Sequence, residues 1–150
     1  MESRFSLDDY SEKALYIIIA SSGVAQSFLS NTVELEHLLF SLASVPETVS
    51  FSILKRFELG LKALRDSIER LSFTKKAAAN TTEPSPTYIF ALNSALEEAH
   101  KDGFAMVSDR HLFLGFIRAV EVYGGVSEVI LSEFNITPSA LREQLCKEQL

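Results

Sequence analysis

Two histidines raise the first chemical question. His37 stands in Glu34-Leu-Glu-His-Leu-Leu-Phe-Ser41 and His111 in Ser108-Asp-Arg-His-Leu-Phe-Leu-Gly115, each followed at once by an apolar run. They lie 74 residues apart. An imidazole titrates near neutral pH and can act as acid, base or metal ligand. With His100 and Cys146 the chain holds four soft donors, but zinc needs three or four clustered ligands, and no CxxC or HxxxH spacing is present. Neither a metal nor a cofactor is expected. A phosphate-binding loop needs lysine directly after its last glycine, and no glycine here is followed by lysine. Gly124-Gly125-Val-Ser127 lacks the flanking pattern of a nucleophile elbow, so Ser127 reads as a helix cap. The histidines read as first-turn residues bonded to the loop before each helix rather than as catalysts. The residues point to no chemistry of the chain's own.

The elements that carry these residues are helical. Ser11 caps a helix to about Phe28, with Leu15, Ile18, Ala25 and Leu29 on one side. A second begins at Glu34 and ends near Pro46, a third holds Phe51, Ile53, Leu54 and Phe57, and a fourth follows Gly60 with Leu61, Leu64, Ile68 and Leu71 in one stripe. Thr74 to Pro86 contains no large apolar residue and reads as a connector. It includes Asn80-Thr81-Thr82, a glycosylation pattern relevant only to a secreted chain. The pattern then restarts. Ser85-Pro86 opens a helix carrying Ile89, Leu92, Leu96 and Ala99 and closing at Gly103. The second histidine helix falls within Met106 to Val122, and a turn at Tyr123-Gly124-Gly125 leads to a helix holding Val126, Val129, Ile130, Leu131 and Phe134. Thr137-Pro138 starts the last, with Leu141 and Leu145 inside.

At a spacing of 74, Ser11 matches Ser85, Ala25 matches Ala99, Val33 matches Val107 and His37 matches His111. Beyond the Tyr123–Gly125 turn the spacing is 77, and Ile53, Leu54, Phe57, Leu64 and Arg65 match Ile130, Leu131, Phe134, Leu141 and Arg142. The prediction is an all-α fold of eight helices, two four-helix repeats related by a pseudo-twofold, with a cleft between the copies. One domain, 1–150, holds repeat one at about 5–72, a linker at about 73–84 and repeat two at about 85–148. A net charge of −6 and a pI near 5.1 exclude a phosphate-binding surface, so no nucleic acid is expected as a partner. The Ala14–Ala20 apolar run is too short to span a membrane, and acidic residues precede it where a signal peptide would be basic. A single cysteine fits a reducing compartment.

These residues carry a resemblance. Ser11 to Ala25, "VELEHLLFSL" and "ILKRFELGLKALR" in the first copy, with Ser85 to Ala99, "VSDRHLFLGF" and "VILSEFNITPSALR" in the second, resemble the N-terminal repeat domain of the Clp chaperone-unfoldases ClpA, ClpC and ClpB. The resemblance runs from about Phe5 to Leu145. It implies a non-catalytic module that recruits adaptor proteins and unfolded or tagged substrate polypeptides to a Clp ATPase or protease ring. The chain would then be the N-terminal part of an AAA+ ATPase or, alternatively, a stand-alone accessory subunit that stabilises or regulates a protease core. The expected location is cytoplasmic, or the plastid stroma for a stand-alone plant-type relative. In some ClpC-type relatives the glutamate before each histidine grips phosphorylated arginine. This sequence has Glu36 at the first position but Arg110 at the second, a departure that counts against that role. Eleven phenylalanines add a second idea, that aromatic rings left partly exposed line the cleft. The partner-binding candidates are therefore Glu36, Arg110, Phe28, Phe104 and Phe113.

Overall fold

The computed structural model describes residues 7–72 and 83–148. The predicted linker, with Asn80-Thr81-Thr82, falls mostly on residues 73–82, outside the described residues. The described residues form eight α-helices in two sets of four: α1 (Glu12–Ser27), α2 (Leu35–Ser44), α3 (Val49–Arg56), α4 (Leu61–Leu71), then α5 (Pro86–Lys101), α6 (Asp109–Tyr123), α7 (Gly125–Glu133) and α8 (Pro138–Lys147). Their starts follow from local chemistry. A helix leaves its first N–H groups without partners, and a short hydroxyl side chain supplies an acceptor. Ser11, Thr48, Ser85, Ser108 and Thr137 all do so, accepting from Ala14, Phe51, Tyr88, His111 and Ala140. Thr48 was not read from the sequence, which marks the boundary between the second and third helices only by Pro46.

The helix ends repeat as well. Leu29 (φ 58°) after α1 corresponds to Gly103 (φ 81°) after α5, and Glu58 (φ 63°) after α3 to Asn135 (φ 59°) after α7. Each turns the chain into the left-handed region, which lets backbone N–H groups reach back to the last helical carbonyls. Ser30 N donates to Ala25 O at 3.0 Å, and Phe104 N to Ala99 O at 2.9 Å. Leu29, expected on the apolar side of α1, is instead 56% exposed at this turn. The buried face of α1 is Ala14, Ile17, Ser21 and Ala25.

The two sets interlock. Val33 and Tyr10 each lie beside a segment of the other half, in a reciprocal exchange. Strand β1 (Thr32–Val33) pairs in parallel with β2 (Glu83–Pro84), and Tyr10 bridges Val107 in the same sense. Ser85 N donates to Val33 O at 3.0 Å and Ser11 N to Val107 O at 2.9 Å, equivalent residues in exchanged roles. The packing follows the same symmetry: α1 meets α6 as α5 meets α2, α3 meets α6 as α7 meets α2, and α4 meets α7 as α8 meets α3. The histidine helices α2 and α6 pack on each other across the seam. They bring Leu38, Leu39, Leu42, Leu112, Phe113, Phe116 and Ile117 into one core that also contains Ile17, Ile53, Leu64, Ile68, Leu92, Ile130 and Leu141, all fully buried. A shared core suits two units of this size, neither of which buries enough apolar surface alone.

The copies differ most where α5 crosses α6. A Cβ built on Gly115 would lie 2.2 Å from Ala91 O, 2.9 Å from Ala95 N and 3.0 Å from Ala95 Cβ, so only glycine allows the observed approach. At the matching place in the first copy, Ser41 Oγ donates to Ile17 O at 2.5 Å. No single described helix is long and apolar enough to cross a membrane. The α2–α3 pair passes such a test only as a unit bent by 91°.

Candidate partner-binding groove

Both histidines serve their helix starts. His37 Nδ1 accepts from Glu34 N at 2.9 Å, and His111 Nδ1 accepts from Ser108 N at 3.1 Å. Each imidazole takes the place that Glu or Gln fills in a capping box. Their outer nitrogens differ. His111 Nε2 lies 3.1 Å from Asp102 Oδ2, whereas the position matching Asp102 is Phe28, which stacks on His37 at 5.9 Å. His37 Nε2 is therefore left without a partner, and burial depresses its pKa to about 4. Among the described residues no group of three His, Cys, Asp or Glu side chains could hold a metal.

Beside His37, a groove of about 420 Å³ opens across the seam. Glu34, Leu35 and Glu36 at the start of α2 form one wall, and Tyr123, Gly124, Gly125, Val126 and Ser127 at the α6–α7 corner form the other, with Thr87 of α5 between them. Glu36 is 6% exposed and accepts from Ser72 Oγ at 3.1 Å. Burial, reinforced by the charge of Glu34, raises its pKa above the usual carboxylate range. Ser127, predicted to cap α7, lies inside that helix, 1% exposed, and its hydroxyl has no partner. Gly124 occupies the cap position and has no side chain to offer.

At the pseudo-equivalent place the corresponding side chains bond within the chain. Asp109, the counterpart of Leu35, accepts from Val49 N at 2.8 Å and so covers the start of α3. Arg110, the counterpart of Glu36, donates to Leu145 O at 2.7 Å near the C-terminal end of α8, where a cation complements the helix dipole. Arg56 and Glu148 pair over the same region.

The aromatic expectation needs correction at all three positions. Phe104 is 58% exposed, on the loop before α6, but lies outside the groove lining. Phe113 is fully buried and Phe28 only 9% exposed. Phe113 lies in the core where α6 is enclosed by both halves, and Phe28 is covered by His37 on α2 and by the Arg65 guanidinium, 4.8 Å from its ring centroid. Neither ring is accessible to a partner. The sequence reading missed Tyr123, 52% exposed in the groove, although the three-residue insertion at Tyr123–Gly125 marks the corner.

An all-helical double repeat with a groove across its seam is the class of fold that comparison with known proteins also finds. The chain belongs to the Clp repeat (R) N-terminal domain family, whose model matches residues 9–119. Such domains are non-catalytic interaction modules of Clp ATPases. Among curated relatives, the chloroplastic chaperone protein ClpC2 of Oryza sativa subsp. japonica is 26% identical over 146 residues, and the chloroplastic chaperone protein ClpC1 of Arabidopsis thaliana 27% identical over 150 residues. Each alignment covers 97% of this chain but only 16% of the relative. Among solved structures, the N-terminal domain of the caseinolytic protease associated chaperone ClpD from Arabidopsis thaliana superposes with a TM-score of 0.77 at 15% identity, covering 98% of both chains. The Hsp104 N-terminal domain from Candida albicans gives 0.73 at 14% identity, covering 91% of this chain and 89% of its own.

Proposed function

We propose that the chain docks adaptor proteins or unfolded substrate polypeptides for a Clp ATPase or protease ring, and that docking takes place in the groove between α2 and the α6–α7 corner. The observation that carries this reading is the asymmetry of the two equivalent places. In one, Asp109 and Arg110 are bonded within the chain, while the other exposes Tyr123 beside the buried carboxyl of Glu36. Relatives named as chloroplastic favour the plastid stroma over the cytoplasm as the place of action. The test is fluorescence anisotropy of a labelled, carboxymethylated and therefore permanently unfolded polypeptide against the chain and its Glu36→Gln variant. Saturable binding weakened by the variant, with Tm unchanged, is the expected result. Binding indifferent to Glu36 would remove the groove from the reading.

A further inference from the structure

The two halves carry equivalent arginines in unequal states. On α8, Arg142 is bonded to Glu121 of α6: its Nε donates to Oε2 at 3.1 Å and its Nη2 to Oε1 at 2.7 Å, the paired geometry in which a guanidinium fork matches a carboxylate. Its counterpart on α4, Arg65, is exposed and, among the described residues, has neither a hydrogen bond nor an ion pair. The matching acid exists in the sequence as Glu47, 74 residues before Glu121. However, α2 ends at Ser44 while α6 runs on to Tyr123, so Glu47 falls in the turn before α3, at φ 65°, and is not bonded to Arg65. The acids of α4 leave the fork free as well. Asp66 lies 3.9 Å from Lys62, and Glu69, one turn on, stands C-terminal to the arginine, the weaker order for such a pair.

What Arg65 has instead is a support. Its guanidinium carbon lies 4.8 Å from the centroid of the Phe28 ring and 5.3 Å from that of Phe40. Phe28 is buried and stacked on His37, so this ring is itself held in place. The second half has Asp102 and Leu114 at the equivalent positions, neither of them aromatic. Contact with a ring face engages the cation without using its N–H donors, so the fork stays available for hydrogen bonds. An arginine already held on two rings also loses less side-chain freedom when a ligand arrives.

We infer that Arg65 is a docking point for an acidic side chain of a partner polypeptide, whose carboxylate takes from outside the place that Glu121 fills for Arg142 from within. The internal ligand of the twin arginine sets the chemistry: a carboxylate held by paired hydrogen bonds. Leu61, 40% exposed, lies one turn before Arg65 on the same face of α4, so an apolar residue beside the partner's acid has a surface to meet. The net charge of −6 opposes an acidic partner at long range, and recognition depends on this short-range contact. Arg65 is not part of the groove lining, so this contact is separate from docking there.

The probe is the peptide acetyl-Gly-Leu-Glu-Gly-amide, titrated at low ionic strength into the ¹⁵N-labelled full chain with the arginine Nε–Hε resonances as readout. That of Arg65 should move saturably, while that of Arg142, already on Glu121, stays in place. Replacing the peptide's Glu by Gln should abolish the shift, and inorganic phosphate should move the resonance less than the Glu peptide does. Phe40→Leu, which gives the first half the residue of the second, should weaken binding about threefold through loss of one ring's support. Glu121→Gln leaves the Arg65 site untouched and releases Arg142, whose resonance should then answer the Glu peptide. No shift at Arg65, equal shifts at Arg65 and Arg142 in the parent chain, or an equal response to the Gln peptide would overturn the inference. Phosphate as effective as the Glu peptide would overturn it too, by showing a site for any anion. Each of these results leaves docking in the groove standing, because that reading is tested with a different probe and at Glu36.

Discussion

Gly115→Ala separates two opposite expectations by sign. In an ordinary helix interior, replacing glycine by alanine stabilises by about 1 kcal/mol. In α6 the new methyl would sit 2.2 Å from the Ala91 carbonyl oxygen, about 1 Å inside normal van der Waals contact, and the atom it meets is backbone of α5. No side chain can rotate away, so α5 and α6 must part where they cross at Gly115. Overpacking of this kind costs about 3 kcal/mol at the upper end of its usual range, leaving a net loss of about 2 kcal/mol after the propensity gain. For a chain of 150 residues that is a fall in Tm of about 4–8 °C. Gly23→Ala in α1 is the internal control. Nothing lies within 4 Å of its Cβ position, so only the propensity gain applies and Tm should rise by about 2–4 °C. The assay is thermal unfolding by circular dichroism on both variants. A Gly115→Ala variant as stable as the parent, or more so, would refute the close α5–α6 approach.

Three further outcomes are expected. Leu29→Gly should stabilise by about 0.5–1 kcal/mol in urea unfolding, because an exposed leucine at φ 58° is strained where glycine is not. Asp109→Asn should destabilise by about 1 kcal/mol by weakening the charged cap on Val49 N, measured the same way. His37 is neutral in the folded chain down to about pH 4 but binds a proton near pH 6.5 when unfolded. The unfolded state therefore takes up the proton first, and stability falls as pH drops from 6.5 towards 4, by about 3 kcal/mol in all. Glu36, whose raised pKa acts in the opposite direction, partly offsets this, so the comparison is with His37→Gln, in which the fall over that window should be shallower.

The parts of this fold legible in the sequence are those set by local chemistry. Ser11, Ser85 and Thr137-Pro138 announce helix starts because a hydroxyl before an apolar run has one favourable use there. The doubled pattern predicts the twofold packing because equivalent faces need equivalent partners. What stayed hidden depends on distant segments. α6 is enclosed by both halves, so its buried positions extend well round the helix and periodicity gave Phe113 no inward assignment. Strands of two residues are too short for alternation to register. Nothing in the identity of Leu29 or Glu58 marks a left-handed stop, since side-chain preference would place glycine there. Ser127 looked like a cap because it follows two glycines, yet Gly125 already belongs to the helix, and that shift of one turn turns a capping hydroxyl into an unpaired buried one.

Docking at the seam is tested most directly by position-specific photocrosslinking. Benzoylphenylalanine would replace Tyr123 in the groove or, as a control, Lys62 on α4, which is outside the groove lining and has 92% of its side chain exposed. Each variant is irradiated with the carboxymethylated unfolded polypeptide. Adducts concentrated at Tyr123 and suppressed by excess unlabelled polypeptide are predicted; equal yields at both positions, or none at Tyr123 under conditions of saturable binding, would contradict docking at the seam.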